Sequence, residues 1–119
     1  MSVRVLLIDD DPSFRSLARV VLADCGFDVI GEAENAASGV LEAERLRPEA
    51  ILLDVGLPDR DGVQFAGELS ALEWAPRVLL TSSDPDATNA QTARRQGACG
   101  FVRKHDLLGE GTDLLAGGV

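Results

Sequence analysis

The sequence predicts an α/β domain: a parallel sheet, doubly wound, in three layers with helices on both faces. Three observations predict it. Short runs rich in Val, Ile and Leu alternate with segments of helical period along the whole chain. Runs such as Val3–Ile8 are apolar on both faces, as expected of buried parallel strands. Each connection between runs is long enough for a right-handed crossover.

The elements follow in order. Val3 to Ile8 is the first strand. Asp11 is placed to N-cap the next helix, with Pro12 at its first position, where a missing N–H costs nothing. Phe14, Leu17, Ala18, Val21 and Leu22 form its apolar stripe, and Gly26 stops it. Phe27 to Ile30 is a short second strand. Asn35 caps a helix carrying Ala37, Val40, Leu41 and Leu46, which ends before Pro48. Ala50 to Leu53 is the third strand. Gly56 to Gly62 is a loop by its Gly and Pro content, and Phe65, Leu69 and Leu72 mark a third helix. Arg77 to Leu80 is the fourth strand, Asp86 to Gln96 a weakly apolar helix ended by Gly97, and Gly100 to Arg103 the fifth strand. Asp106 to Leu115 is a last helix weakened by Gly109 and Gly111.

Residues 1–119 fit one domain, and 45% hydrophobic residues suffice for a core. The net charge of -9 disfavours binding to nucleic acid or to anionic membrane surfaces. The N-terminus lacks a signal-type segment and no apolar run approaches a membrane span, so a cytoplasmic protein is expected. Cys25 and Cys99 have no metal-ligand spacing and read as free thiols in a reducing compartment. Trp74 reads as packing over the end of the third helix.

The chemistry lies at the strand ends. Strand one runs into Asp9-Asp10-Asp11, strand three into Asp54, strand four into Thr81-Ser82 and strand five into Lys104. In an open parallel sheet, ligands bind at the carboxyl ends of the strands, where the strand order reverses. Carboxylates gathered at the rim of an apolar core repel one another unless a cation compensates, and an all-oxygen set suits Mg²⁺. Asp54 is the candidate nucleophile, because a carboxylate can accept a phosphoryl group as an acyl phosphate. Asp9, Asp10 and Asp54 carry about three negative charges, which one Mg²⁺ and the Lys104 ammonium would offset. Thr81 offers a hydroxyl to a phosphoryl oxygen. The backbone carbonyl of Gly56 could complete the metal shell, with glycine allowing close approach.

Taken together, Ile8-Asp9-Asp10-Asp11-Pro12, Leu53 to Pro58 with Asp61-Gly62, Leu80-Thr81-Ser82 and Gly97 to Lys104 resemble the response-regulator receiver domain, CheY-like, over essentially the whole chain. The resemblance implies a flavodoxin-like, five-stranded sheet of order 2-1-3-4-5 with five helices. It implies that Asp54 takes phosphate from a histidine kinase or histidine phosphotransfer protein, or from a small phosphodonor. Asp10 would bind Mg²⁺ directly, Asp9 largely through water, and Lys104 would contact the phosphoryl group. Thr81 and Phe101 would form the switch pair, reshaping a surface for an output partner, an output domain or a phosphorylation-dependent homodimer. Enzymatic activity would be limited to self-phosphorylation and slow self-dephosphorylation. The chain is then either a stand-alone receiver or the N-terminal receiver of a longer regulator.

One departure is His105, where receivers commonly carry proline. A trans bond is expected there, and His105 reads as solvated. The rival reading is a Mg²⁺ phosphatase of the haloacid-dehalogenase type, with Asp9 and Asp11 as its paired acids. A flavin module is weaker, because Asp would repel the flavin phosphate. A degenerate receiver acting as a scaffold conflicts with the intact Asp and Lys positions.

Overall fold

The computed structural model describes residues 2–117. Five parallel strands form one sheet in the order β2-β1-β3-β4-β5. They are β1 (Arg4–Ile8), β2 (Asp28–Ala33), β3 (Ala50–Asp54), β4 (Arg77–Ser82) and β5 (Gly100–Arg103). The helices are α1 (Pro12–Asp24), α2 (Ala36–Leu46), α3 (Gly62–Ser70), α4 (Ala90–Arg95) and α5 (Thr112–Leu115).

Because side chains alternate along a strand, the apolar strands feed two cores. Leu6, Ile8, Ile51, Leu53, Val78 and Leu80 pack with Ala36 and Ala43 of α2, Phe65 and Leu69 of α3 and Ala93 of α4. Val5, Leu7, Leu52, Leu79 and Val102 face the other way, onto Phe14, Ala18 and Leu22 of α1 and Leu107 and Leu115. This is the three-layer arrangement the sequence predicts, and all of these strand residues are almost wholly buried.

The capping signals are met. The Asp11 side chain accepts from Ser13 N at 2.9 Å, and Asn35 Oδ1 accepts from Ser38 N at 2.8 Å. Gly26 takes a left-handed φ of 88° just past α1, which suits glycine. The helical stripes are narrower than expected. Leu17 of α1 and Leu41 of α2 are 58% and 70% exposed, because a helix lying on a flat sheet buries mainly one row of side chains.

Strand and helix ends differ from the sequence reading. β2 runs to Ala33, beyond the expected Ile30, since it pairs with β1 as far as Ile8. α4 begins at Ala90 instead of Asp86. Asp86 N donates to Asp84 Oδ1 at 2.9 Å in a turn, and Asn89 supplies the cap through Thr92 N at 2.8 Å. The expected helix from Asp106 to Leu115 is broken. A 3-10 turn (Lys104–Asp106) leads into an irregular stretch, Leu107–Gly111, where Leu108 is extended and Gly109 has a φ of 94°. Only the single turn of α5 remains. The Thr112 hydroxyl closes the break, accepting from Gly109 N at 3.1 Å and lying 3.0 Å from Gly109 O as donor.

Trp74 packs partly buried against the α2–α4 core and donates its indole N–H to Pro48 O at 2.9 Å. Cys25 and Cys99 are free thiols. Among the described residues every peptide bond is trans, including Lys104–His105.

Candidate functional site

Parallel register carries the polar residues to one end of the sheet. Asp54 and Thr81 lie within their strands and not just past them, as the sequence implies: Asp54 is the last residue of β3, Thr81 the last but one of β4, and the two are paired directly with each other. Asp9 follows β1 immediately and is tied to the sheet by Asp9 N donating to Ala33 O at 3.0 Å. Lys104 opens the turn after β5.

Oxygens of Asp9, Asp10 and Asp54 lie within 4.8 Å of one another. Asp9 and Asp54 are buried, whereas Asp10 is exposed. Lys104 Nζ is 2.9 Å from Asp9 Oδ2 and 3.9 Å from Asp54 Oδ2. Even so, Asp9 Oδ2 has no hydrogen-bond partner: the ammonium is close in charge but not aligned as a donor. Asp9 Oδ1 accepts from Asp11 N at 2.9 Å, and Asp54 Oδ1 accepts a long bond from Gly56 N at 3.3 Å. Burial pushes the Asp54 carboxyl above the ordinary aspartate value, and the Asp9 charge adds to this; Lys104 and the Gly56 N–H pull the other way.

Three carboxylates therefore face one ammonium, and one buried oxygen is orphaned. An oxygen-only donor set with uncompensated negative charge fits a hard divalent cation such as Mg²⁺. Gly56 stands beside this cluster, but not for the expected steric reason. A Cβ there would meet nothing nearer than Asp54 Oδ2 at 4.0 Å. The crowded glycine is Gly62, where a Cβ would lie 2.5 Å from Asp54 O and 2.6 Å from Val55 Cα. Gly62 N also donates to Val55 O at 3.0 Å, so α3 starts pressed against the end of β3. In the sequence Asp61-Gly62 reads as the end of a loop and as part of the receiver-like motif set. Its further meaning is Asp61 as N-cap of α3, accepting from Val63 N at 3.0 Å.

Thr81 and Phe101 lie on adjacent strands one register step apart, since Leu80 pairs with Phe101 and Thr81 with Val102. The Thr81 side chain is fully buried, its hydroxyl lying 3.5 Å from Leu53 O. The Phe101 ring is half-buried. It packs on the α2–α4 core and lines a surface cleft of about 340 Å³ with Pro85, Thr88, Ala90 and Arg103. His105 has an exposed side chain whose nearest acidic partner is Asp106, at 3.8 Å.

Two residues of α1, Arg15 and Phe14, make contacts at the site that the sequence does not announce. Arg15 reaches back from α1 to donate to the Asp9 carbonyl and, at 2.9 Å, to Glu32 Oε1. The Phe14 ring lies under Lys104, with Nζ 4.5 Å from its centroid. Phe14 reads in the sequence only as one member of an apolar stripe. Asp11, which the phosphatase reading needs as a second acid, is spent on capping α1.

The comparisons with known proteins agree with this geometry. The response regulator receiver domain model matches residues 5–110, and the chain belongs to that family. It is 38% identical over 107 residues to BvgA of Bordetella pertussis, named for positive transcription regulation of virulence factors; the match covers 90% of this chain and 51% of BvgA. It is 28% identical over 104 residues to the chemotaxis protein CheY of Bacillus subtilis, covering 87% of each. It superposes on the signal receiver domain of NarL from Mycobacterium tuberculosis with a TM-score of 0.79 and 32% identity, covering 98% of this chain and 92% of that one. The chain spans about half the length of curated relatives such as BvgA. It is a receiver domain of the two-component response-regulator class. Among the described residues no helix is long and apolar enough to cross a membrane.

Proposed function

We propose that Asp54 accepts a phosphoryl group from the phosphohistidine of a histidine kinase or histidine phosphotransfer protein, and also from small phosphodonors. The observation that carries this reading is the buried Asp54 carboxylate at the end of the central strand, with Asp9, Asp10 and Lys104 gathered around it. A carboxylate oxygen attacks phosphorus, a P–O bond forms as the P–N bond of phosphohistidine breaks, and the imidazole leaves with the electron pair. Phosphoryl transfer asks mainly for positioning and charge neutralisation. Lys104 supplies a cation within reach of both carboxylates. Mg²⁺, held by Asp10 directly, Asp9 largely through water, Asp54 and the Gly56 carbonyl, would supply the remaining positive charge. Slow hydrolysis, in which water attacks phosphorus and Asp54 is regenerated, resets the site.

In this reading the Thr81 hydroxyl turns to a phosphoryl oxygen, strand β4 draws in, and the Phe101 ring moves into the space released. The surface around α4, β5 and α5 then changes for an output partner, an output domain or a second copy. Output through transcription, as the name of BvgA suggests, is one form this takes. The site of action is the cytoplasm. The test is Asp54→Asn with acetyl phosphate and Mg²⁺, followed by intact mass. The wild type should gain one phosphoryl group and the variant none. Stoichiometric labelling of the variant would move the acceptor elsewhere.

A further inference from the structure

Lys104 is the cation that reaches the Asp9 and Asp54 carboxylates, and its side chain is only 15% exposed. Yet among the described residues no directed hydrogen bond holds its ammonium, and Asp9 Oδ2 beside it is orphaned. An ammonium on a flexible four-carbon stem needs a constraint to stay between two carboxylates 2.9 and 3.9 Å away. The Phe14 ring also lies against it. It is buried in the core formed with Val5, Leu7 and Val102, so it is rigid. Its centroid is 4.5 Å from Nζ, well inside the range over which a ring face attracts a cation.

We propose that Phe14 is a positioning residue for Lys104, its ring face holding the ammonium at Asp9 and Asp54; the proposal rests on the reading of Asp54 as phosphoacceptor. A ring suits this task better than another acid. It attracts the ammonium through its quadrupole and takes up none of the three N–H donors, which stay available to carboxylate and phosphoryl oxygens. It adds no negative charge to a site already rich in it. Phe14 thus has two roles in one side chain: its apolar mass fills the core, and one face serves the site from α1, about ninety residues away from Lys104 in sequence.

The two roles separate under fluorination, which drains the ring face of negative potential while nearly preserving its shape. Phe14 is replaced site-specifically by mono-, tri- and pentafluorophenylalanine, in the wild type and in Lys104→Ala. Affinity for beryllofluoride with Mg²⁺ is then measured. In the wild-type background affinity should fall stepwise with fluorine number, by about three- to thirty-fold in all, as expected for a desolvated cation–ring contact. In the Lys104→Ala background the series should be flat. A flat series in the wild type, or an equal fall in both backgrounds, would overturn the proposal and leave Phe14 a core residue only. The Lys104 ε-methylene protons give a second readout that needs no phosphate analogue. They should lie upfield under the ring current and return to ordinary positions in Phe14→Leu; ordinary positions in the wild type would overturn the contact itself. A wild type that takes no beryllofluoride refutes the Asp54 reading instead, and the ε-methylene shift then decides the placement of Lys104 on its own.

Discussion

Gly62→Ala should distort the site through the backbone alone. A Cβ on Gly62 would lie 2.5 Å from Asp54 O, 2.6 Å from Val55 Cα and 2.8 Å from Val55 O, where real Cβ contacts essentially never fall below 3.0 Å. All three neighbours are main chain, so no side chain can rotate away. Either α3 or the end of β3 must retreat by roughly half an ångström, and Asp54 sits at that end. Overpacking of this kind costs about 2–3 kcal/mol, the upper part of the usual range. Alanine returns at most ~1 kcal/mol through helix propensity at the first position of α3. The net loss is about 1–2 kcal/mol, or a fall in Tm of roughly 4–8 °C at this chain length. Gly56→Ala, in the loop that leads to α3, is the control. Its nearest neighbour is 4.0 Å away and its φ is not left-handed, so its stability should stay within about 0.5 kcal/mol of the wild type. Urea unfolding of both variants, followed by circular dichroism, measures the difference. If Gly62→Ala unfolds like the wild type while Gly56→Ala loses stability, the close approach of α3 to β3 is wrong as described.

Three further outcomes are expected. Mg²⁺ should stabilise the fold, by about 2.7 kcal/mol at a hundredfold excess over Kd if only the native state binds it, and Asp10→Ala should remove most of that gain; a wild-type Tm indifferent to millimolar Mg²⁺ would count against a metal site. With the metal chelated, the raised carboxyl of Asp54 should make the wild type lose stability as pH rises from below the unfolded aspartate value of 3.8 through its higher folded value, because the folded state holds the proton more tightly. Subtracting the pH–stability curve of Asp54→Asn isolates this slope, and its absence would mean that the carboxylate is well solvated. Finally, Thr81→Ala and Phe101→Ala should each cut phosphorylation-dependent partner binding while the double variant is little worse than the poorer single; simple additivity in titrations with and without beryllofluoride would show that the two residues act independently.

Much of the fold was legible because its signals are local. The apolar runs of β1, β3 and β4 declare burial on both faces, and the caps Asp11 and Asn35 act within three residues of themselves. The candidate site was legible for a related reason. Parallel strands place all their carboxyl ends on one side, so Asp9, Asp54, Thr81 and Lys104 converge once the strands are recognised. What the sequence concealed are relations between elements. In the sequence Asp59 is one more loop acid, yet its carboxylate accepts from Ala36 N at 2.8 Å and Ala37 N at 3.0 Å, fastening the loop after Asp54 to the start of α2. Asp86 reads in the sequence as a helix start, but side-chain turns at Ser82 and Asp84 delay the helix to Ala90. Leu17 and Leu41 match the helical period and still face solvent.

The sequence by itself determined the order of strands and helices, the end of the sheet that carries the chemistry, and which acids and lysine stand there. Those follow from periodicity, capping and strand direction, which neighbouring residues encode. Only the tertiary structure decided which glycine the site cannot spare, that Asp9 rather than Asp10 is buried against Lys104, and that the Phe14 ring lies beneath that lysine. Each depends on how layers stack across the sheet, at separations of 2.5 to 4.5 Å, and no periodicity along the chain records such distances.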